Sequence, residues 1–484
     1  PPPPPPPFFF HAHDGIRHQP RSRGLGDMYK RQIRGIAGSQ LSVSFANRLG
    51  RALPTFLDCG ALAVGRDIRE SGPELHEAFV NGLMSAGCDV HDLGICTTGA
   101  LYSATANLEV DGGVMITASH NPPEYNGFKM CRGTAAMAGD EIQALRDVFE
   151  SGDFRTGEGQ HIDAGDFLSD YVADVLEKAG QPARSVKVAI DCANAVPGPF
   201  MVDLCNQLGC ETIAMHCEWD NTFPHHPPDP TRPQNMVELG AKVVETGAEF
   251  GIGIDGDGDR VGVVDENGNF IHPDRVLAVF ARDILSRVPA DASDEARTVI
   301  HDVKCSMALE QTIEAAGGIA HMMRTGHSFL KQALRENPEV PMAGEMSGHF
   351  FFNDRWNGFD DSLYATARLI ELVARDDKPF SSLFDGIPTY PSTGEAKVPL
   401  TAGRQETMDA VREAYSDMEY SAVDGVRVKY PDGWYLCRPS NTEPILVMRA
   451  EADSEESLAS IKADVEARIG ATVSYTHLTL PTKA

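Results

Sequence analysis

Basic residues are scarce in this 484-residue chain. It contains 42 Lys and Arg against 70 Asp and Glu, which gives a formal net charge of −28. A nucleic-acid-binding protein needs a basic surface that neutralises phosphates, and the sequence has no run rich in Lys or Arg. The same acidic balance opposes attraction to an anionic membrane surface. We therefore expect no nucleic acid and no membrane among the partners, whereas a few local arginines still permit small anionic substrates.

Long apolar runs and paired cysteine motifs are also lacking. No window approaches the roughly 18 apolar residues that a membrane span needs, and the N-terminus has none of the regions of a signal peptide. The ten cysteines are spread from Cys59 to Cys437 without a CxxC pair or a zinc-type spacing. In a chain of this length they indicate buried, reduced thiols rather than a disulfide framework. We therefore expect a cytoplasmic protein.

The two ends of the chain have neither helical nor strand periodicity. Residues 1–32 begin with seven prolines and three phenylalanines, and residues 1–7 could form only polyproline II. The segments RSRGLGDMYKRQ and SYTHLTLPTKA resemble translated adaptor sequence. We predict that residues 1–32 and 474–484 are non-native tails. The alternative for the first tail is a proline-rich ligand for a partner protein.

Apolar runs alternate with amphipathic segments over most of the remaining chain, whose length suggests three or four domains. This alternation predicts α/β domains with mostly parallel sheets built from βαβ units, and three similar blocks indicate related domains. From about Pro388 the strands are joined by short turns such as 431–433, which predicts an α+β domain with an antiparallel sheet. We place the domains at residues 33–164, 165–270, 271–387 and 388–473.

A polar loop, TASHNPPEYNGFKM (117–130), follows an apolar strand. We expect Ser119 in an exposed turn braced by prolines, with His120 beside it and Lys129 ten residues further on. This group of residues is typical of a nucleophile or a phosphate carrier. The alternative is a serine that only caps a loop.

The loop DGDGDR (255–260) holds Asp255, Asp257 and Asp259 at alternate positions. Three carboxylates in one glycine-rich turn indicate a site for a hard cation, because their repulsion is costly without one. The segment also matches a calcium loop, but Arg260 stands where that loop needs glycine, and strands flank it instead of helices. The overlapping pattern GIGIDG is not followed by a helix, so we reject dinucleotide binding. We favour Mg²⁺ over the alternative, a solvated acidic turn.

Two further loops carry polar side chains suited to a sugar and to a phosphate. In AGEMSGHFFF (343–352), Glu345, Ser347 and His349 alternate, so an extended segment would present them on one face, where they could hold sugar hydroxyls. The alternative is a polar edge strand. In RPSNTEP (438–444), the side chains suited to a phosphate dianion are Arg438, Ser440, Asn441 and Thr442. The alternative there is a turn stabilised by bonds from side chains to the backbone.

The sequences of these four loops and their order along the chain resemble the motifs of the α-D-phosphohexomutase superfamily, in particular its bacterial phosphomannomutase/phosphoglucomutase branch. The segments VGRDIRESGPEL (64–75) and FPHHPPDPTRPQN (223–235) match as well, and the resemblance covers nearly all of residues 33–473. It implies three related α/β domains with mixed, mostly parallel sheets and a C-terminal α+β domain around a central cleft. Each domain would contribute one loop to that cleft.

The resemblance also implies a reaction and a role for each loop. Ser119 would be phosphorylated and would interconvert hexose 1-phosphate and hexose 6-phosphate, with mannose or glucose as the sugar, through a hexose 1,6-bisphosphate. Asp255, Asp257 and Asp259 would hold Mg²⁺ together with the phosphoserine. The sugar would be bound by Glu345, Ser347 and His349. The phosphate that does not react would be bound by Arg438, Ser440, Asn441 and Thr442. The residues implied near the reacting groups are Arg34, His120, Lys129 (a candidate acid/base), Arg260, Lys304 and His327.

A monomer that acts on small sugar phosphates is the expectation from this resemblance. One departure is that Arg31 and Gln32 precede Ile33, where the family usually has Tyr-Asp. A phosphoglucosamine mutase is an alternative within the family, although glutamine would be expected where Met346 stands. An Mg²⁺-dependent sugar-phosphate phosphatase and a non-catalytic sugar-phosphate sensor are alternatives of other classes.

Overall fold

Four β-sheets follow one another along the chain. The computed structural model describes residues 33–400, 402–440 and 445–470, so both predicted tails lie outside the described residues. The sheets have seven, five, four and five strands, and we name domains I to IV after them. The predicted fold class is confirmed, because the first three sheets are mixed and flanked by helices whereas the fourth is antiparallel.

Domain I contains a seven-stranded sheet of order β1-β5-β4-β2-β3-β7, with β6 paired to β5. Its strands are β1 (Ile33–Ile36), β2 (Ala61–Arg66), β3 (Asp89–Ile95), β4 (Gly112–Ile116), β5 (Tyr125–Arg132), β6 (Ala135–Ala136) and β7 (His161–Asp163). Its helices are α1 (Val43–Leu57), α2 (Gly72–Ser85), α3 (Thr98–Asn107) and α4 (Asp140–Ser151).

Domains II and III have smaller sheets, of order β12-β11-β10-β8-β9 and β14-β13-β15-β16. The elements of domain II are α5 (Phe167–Ala179), β8 (Lys187–Asp191), α6 (Gly198–Gln207), β9 (Glu211–Met215), α7 (Val237–Thr246), β10 (Phe250–Ile254), β11 (Val261–Val264) and β12 (Phe270–Ile271). Those of domain III are α8 (Pro273–Leu285), β13 (Thr298–Asp302), α9 (Met307–Ala315), β14 (Ile319–Met323), α10 (His327–Glu336), β15 (Met342–Gly344), β16 (Phe350–Phe352) and α11 (Ser362–Val373). Short 3-10 helices lie at Pro233–Met236, Glu295–Arg297 and Phe380–Phe384.

One strand order recurs in domains I, II and III. Three parallel strands lie side by side with the first in the middle, and a fourth strand pairs antiparallel with the third. The connection from the third strand to the fourth contains the serine loop in domain I, the carboxylate loop (255–260) in domain II and the sugar loop (345–349) in domain III. The three predicted loops therefore occupy equivalent positions at the carboxyl ends of parallel strands, where α/β sheets place their sites.

The expectation of an extended segment across residues 343–352 is wrong. The backbone N–H of Glu345 donates to the carbonyl of His349 (3.0 Å), and the N–H of Gly348 donates to the carbonyl of Glu345 (3.0 Å). These bonds close a tight turn between β15 and β16, with Gly348 at a φ of 81°. Alternation along the sequence therefore does not put the three side chains on one strand face, since the pleat stops at Gly344.

Domain IV is an antiparallel sheet of order β17-β21-β20-β19-β18 covered by two helices. Its elements are β17 (Ala396–Pro399), α12 (Arg404–Ala414), β18 (Tyr420–Ser421), β19 (Val426–Tyr430), β20 (Gly433–Pro439), β21 (Ile445–Ala452) and α13 (Glu455–Ile469). The predicted hairpin is confirmed, since Tyr430 pairs with Gly433 across the turn.

One hydrophobic core runs through domains I, II and III. Leu101, Phe250 and Phe350 are buried members of this cluster from the three domains, whereas domain IV has a core of its own that includes Val411 and Leu458. All ten cysteines fall within the described residues and are unpaired, and nine of them are buried. Within the described residues, no helix is long and apolar enough to cross a membrane.

Phe250→Ala should destabilise the three-domain core strongly. The ring is fully buried and stacks on Phe380 with a centroid distance of 4.6 Å. Its removal should lower the free energy of unfolding by about 3–5 kcal/mol, because it leaves a cavity. Urea denaturation followed by circular dichroism measures this change. Val237→Ala is the control, since Val237 is 68% exposed and should change stability by less than about 0.5 kcal/mol. Equal shifts for both variants would contradict the shared core.

Candidate active site

Ser119 lies in a left-handed turn directly after β4. Its φ is 50°, which is uncommon for a residue with a side chain, so the surroundings must hold the turn in place. The hydroxyl of Thr117 accepts the N–H of Ser119 (2.9 Å), and the Arg69 guanidinium donates to the Ser119 carbonyl (2.7 Å). The hydroxyl of Ser119 is thereby fixed at the carboxyl end of the parallel strands, although the residue is only 2% exposed.

A buried arginine organises the serine loop, and the sequence analysis missed it. Arg69 is 1% exposed, and its guanidinium donates to Asp67 and to four backbone carbonyls of the loop. These carbonyls belong to residues 119, 121, 122 and 125. Asp67 also accepts the hydroxyl of Thr117 (2.7 Å). The sequence feature that could have identified Arg69 is the run RDIRE, which begins at the last residue of β2 and lies at the same sheet edge as the serine loop.

The carboxylate loop of domain II contacts the serine directly. Ser119 Oγ donates to Asp255 Oδ2 (2.8 Å), while Asp255 Oδ1 accepts the backbone N–H groups of residues 258, 259 and 260. A Cβ on Gly256 would lie 2.2 Å from the carbonyl oxygen of Ser119, so only glycine permits this approach. Backbone contact between two domains therefore sets the distance between the hydroxyl and the carboxylate.

The three aspartates form a buried cluster that fits a metal ion. One ligand oxygen of each of Asp255, Asp257 and Asp259 lies within 4.8 Å of the others. Lys129 Nζ lies 2.6 Å from an oxygen of Asp257 and 2.6 Å from one of Asp259. The second oxygens of these two residues, both buried, have no hydrogen-bond partner among the described residues. Three carboxylates with one bridging ammonium and two unsatisfied oxygens suit an added hard cation.

The charges of this cluster shift the pKa values of its members. Burial and the neighbouring Asp259 and Asp257 raise the pKa of Asp255 well above its usual range. Burial opposes the charge of Lys129, but Asp257 and Asp259 outweigh it and raise the pKa of the ammonium. The two carboxylates therefore favour the charged form of Lys129.

His120 lies next to the serine hydroxyl in its neutral form. Its Nδ1 is 3.0 Å from Ser119 Oγ. Burial and the nearby Arg260 hold the pKa of His120 well below its ordinary value. If the hydroxyl proton turns from Asp255 toward Nδ1, a neutral imidazole at this distance can accept it.

Arg34 and Arg260 bring positive charge to the serine loop and the carboxylate loop. Arg34 donates to the side-chain oxygen of Asn121, and burial lowers its pKa to about 10. Arg260 Nε lies 3.8 Å from Asp259 and donates to His349 Nε2 (3.1 Å). The loops of domains I, II and III therefore meet around these two guanidinium groups.

A buried carboxylate that was also missed holds two predicted histidines. His349 Nδ1 lies 2.9 Å from Asp360 Oδ2, and His327 Nδ1 lies 3.5 Å from the same oxygen. The two rings stack with centroids 5.3 Å apart. The other Asp360 oxygen accepts from Lys331 (2.8 Å), which also donates to the hydroxyl of Tyr102 in domain I (2.8 Å). Asp360 and Lys331 thus connect the two histidines of domain III to domain I, and His349 also accepts from Arg260 of domain II.

Glu345 and Ser347 lie in the sugar loop and contact each other. The Ser347 hydroxyl donates to Glu345 Oε2 (2.8 Å), and the backbone N–H of Gly326 donates to Glu345 Oε1. The carbonyl of Gly348, in the same loop, accepts the N–H of Val261 from domain II (3.0 Å). The turn therefore still places the sugar loop beside the carboxylate loop.

The remaining predicted residues lie toward domain IV. Lys304 Nζ is 3.0 Å from Glu395, and Arg438 Nε donates to Asp424 (2.8 Å). The carbonyl of Ser440 accepts from Arg404 (2.5 Å). Asn441 and Thr442 lie outside the described residues. The structure therefore brings the predicted residues of domains I to III into one contact network, with Lys304 and Arg438 on its domain IV side.

Comparison with known families agrees with this arrangement over most of the chain. Four phosphoglucomutase/phosphomannomutase models match. They are alpha/beta/alpha domain I over residues 27–156, alpha/beta/alpha domain II over 169–268, alpha/beta/alpha domain III over 272–390 and the C-terminal domain over 395–468.

Individual proteins are similar over nearly the full length. A phosphomannomutase/phosphoglucomutase of Pseudomonas aeruginosa is 42% identical over 439 residues, which cover 89% of this chain and 92% of the relative. A phosphoglucomutase of Neisseria gonorrhoeae is 42% identical over 90% of this chain and 95% of its own. The crystal structure of a phosphoglucomutase/phosphomannomutase family protein from Burkholderia thailandensis is 40% identical, with a TM-score of 0.85 over 93% of this chain and 98% of that one. The chain therefore belongs to the phosphoglucomutase/phosphomannomutase family of the α-D-phosphohexomutase superfamily.

Proposed function

We propose that this hexose-phosphate mutase works through a phosphoserine at Ser119. The observation that carries the proposal is the placement of Ser119 Oγ, 2.8 Å from Asp255 and 3.0 Å from His120, in a turn clamped by Arg69. A serine that only capped a loop would not need a buried arginine on four loop carbonyls. The same placement argues against a non-catalytic sensor.

The proposed reaction has two phosphoryl transfers. First, the free hydroxyl of a hexose 1- or 6-phosphate attacks the phosphorus on Ser119, the P–Oγ bond breaks, and a hexose 1,6-bisphosphate forms. The sugar hydroxyl loses its proton while the serine oxygen gains a proton. Neutral His120 is placed to carry the proton from the sugar to the serine. The bisphosphate then reorients so that its other phosphoryl group faces Ser119. The Ser119 oxygen attacks this group, the bond from phosphorus to the sugar oxygen breaks, and the isomeric hexose phosphate leaves. Catalysis is mainly positioning and charge stabilisation.

Mg²⁺ is the cation that we propose for the aspartate cluster. Asp255, Asp257 and Asp259 would hold it together with an oxygen of the phosphoserine, and when bound it would neutralise charge on the transferring phosphoryl group. Arg34, Lys129 and Arg260 supply the positive charge that comes from the chain itself. Because burial in a contact network excludes water, the phosphoserine is protected from the hydrolysis that a phosphatase would favour.

The substrate-binding residues follow from the other two loops. We propose that Glu345, Ser347 and His349 bind sugar hydroxyls, with His327 and Lys304 close to the reacting groups. Arg438, Ser440, Asn441 and Thr442 would hold the phosphate that does not react. Met346 packs against the hydrophobic core and offers no acceptor for an amino group, which favours mannose and glucose phosphates over an amino sugar.

The remaining proposals concern the chain as a whole. We propose a monomer, because one chain supplies every loop of the site, and a cytoplasmic location, because the ten cysteines are unpaired. Of the domain boundaries predicted from the sequence, those at 164/165 and 387/388 fall between the sheets, whereas the one at 270/271 divides β12 (Phe270–Ile271) of the domain II sheet. We also propose that residues 1–32 and 474–484 are non-native tails.

Ser119→Ala should abolish mutase activity and remove the phosphoryl group. Intact mass of the wild-type protein should exceed the sequence mass by about 80 Da, one phosphoryl group, and the variant should lack this increment. Glucose 1-phosphate conversion is measured alongside. Ser416→Ala, which changes an exposed serine of domain IV, should keep both the mass increment and the activity. Activity retained by Ser119→Ala would overturn the proposal.

Removal of divalent metal should abolish activity, and Mg²⁺ should restore it. In a thermal-shift measurement, Mg²⁺ should raise the Tm of the wild-type protein, because a ligand that binds only the folded state stabilises it. Asp257→Asn should lose this rise, since it removes one of the three carboxylates. Asp174→Asn, in the surface pair with Lys178, should keep the rise. An Mg²⁺-dependent rise of equal size in both variants would exclude the aspartate cluster as the site.

Gly256→Ala should separate the serine loop from the carboxylate loop. Its added methyl group would lie 2.2 Å from the Ser119 carbonyl, so one backbone segment must move. A shift of about 1 Å at reacting groups can cost about 100-fold in kcat. Gly60→Ala is the control, because its nearest neighbour would be an Asp111 oxygen at 3.7 Å. Steady-state kinetics compare the two variants, and an unchanged kcat in Gly256→Ala would refute the constraint.

A further inference from the structure

Asp424 connects the phosphate-binding strand end of domain IV to domain III. It lies in the turn between β18 and β19, and its Oδ2 accepts two hydrogen bonds. One comes from Arg438 Nε (2.8 Å) and the other from the backbone N–H of Thr325 in domain III (3.0 Å). Both side chains of the ion pair are more than 90% buried. One carboxylate oxygen thus joins two domains at a residue proposed to bind phosphate.

The bond to Thr325 continues directly to the sugar loop. The next residue, Gly326, donates its N–H to Glu345, and Glu345 accepts the hydroxyl of Ser347. Two consecutive N–H groups therefore bind two carboxylates, one from domain IV and one from the sugar loop. The Thr325 hydroxyl is fixed as well, because it donates to the buried Asp302 (2.9 Å).

The turn that carries Asp424 is packed tightly against Arg438. A Cβ on Gly425, at a φ of 85°, would lie 2.4 Å from the Cys437 carbonyl and 2.7 Å from Arg438 Cα. Asp424 therefore has little freedom to move relative to the guanidinium. Because Arg438 uses Nε for this bond, Asp424 restrains the orientation of the guanidinium.

Other contacts hold domain IV against domain III. Ser306 donates to Glu451 (2.9 Å), and Arg427 lies 3.0 Å from Glu310. Removal of the Asp424 carboxylate should therefore leave the domains docked while it removes one restraint on the orientation of Arg438.

We propose that Asp424 is a positioning residue that couples the phosphate subsite to the sugar subsite. It would orient Arg438 and tie it, through Thr325 and Gly326, to the loop of Glu345 and Ser347. A sugar phosphate would then engage both subsites as one unit. This inference rests on the proposed function of Arg438 and the sugar loop.

Steady-state kinetics with glucose 1-phosphate test the coupling. Asp424→Ala should raise KM about tenfold or more, because it removes a charge-assisted hydrogen bond, while kcat changes by less than about threefold. Asp424→Asn keeps an oxygen acceptor and should raise KM less, and it carries the test if the alanine variant does not fold. Asp417→Asn is the matched control, since Asp417 pairs with Arg468 on the surface of the same domain (2.6 Å). An unchanged KM in the Asp424 variants would overturn the inference.

A double-mutant cycle separates coupling from a purely structural role. In the double variant Asp424→Asn/Ser347→Ala, the effect on kcat/KM should differ at least about threefold from the product of the two single effects. In the control double variant Asp417→Asn/Ser347→Ala, the effect should equal that product. Multiplicative effects in both pairs would refute the coupling. The mass increment on Ser119 should persist in all these variants, because none of them changes the serine loop. Absence of the increment from the wild-type protein would refute the proposed function, which is a different outcome from failure of the coupling.

Discussion

The carboxylate loop of domain II is the constraint on which the rest of the site depends. Its backbone contacts domain I on one side, where Gly256 abuts the Ser119 carbonyl and the Asp257 carbonyl accepts the N–H of Thr98. On the other side it contacts domain III through Gly348 and Ser362. Because these contacts are made by backbone, they fix the relative positions of the segments that carry the hydroxyl, the carboxylates and the imidazole. The three domains must therefore pack in one arrangement for the site to exist, and their shared core provides it.

The repeated strand order explains how three loops reach one place. In each of the first three domains the site loop joins the third parallel strand to its antiparallel neighbour. The same topology therefore places different functional groups at the site in each domain. Domain I presents a hydroxyl, domain II a cluster of carboxylates, and domain III a carboxylate, a hydroxyl and an imidazole. Domain IV has a separate core and an antiparallel sheet, and its turn between β18 and β19 contacts domain III through the bond of Asp424 to Thr325.

The sequence predicted the fold class and the hairpin of domain IV, because apolar periodicity and short turns are local signals. It also predicted site residues in the serine and aspartate loops, which are dense in polar side chains and which the structure brings into contact. It did not identify Arg69, Asp360 or Asp424, because each of these acts through partners that are distant in sequence. The extended form expected for 343–352 failed for a local reason, since bonds between residues 345, 348 and 349 close a turn that alternation alone does not reveal.

The excess of acidic residues and the anionic substrate are compatible because positive side chains are concentrated at the site. Lys129 bridges two of the clustered aspartates, and Arg260 lies between Asp259 and His349. Buried carboxylates at this spacing are costly in a single isolated loop, and the positive groups that offset the cost come partly from domain I. The carboxylate loop and the serine strand thus stabilise each other electrostatically as well as sterically. A substitution that removes Lys129 would consequently disturb the packing of two domains along with the charges, whereas Gly256→Ala changes the backbone contact and leaves every charged group of the cluster in the chain.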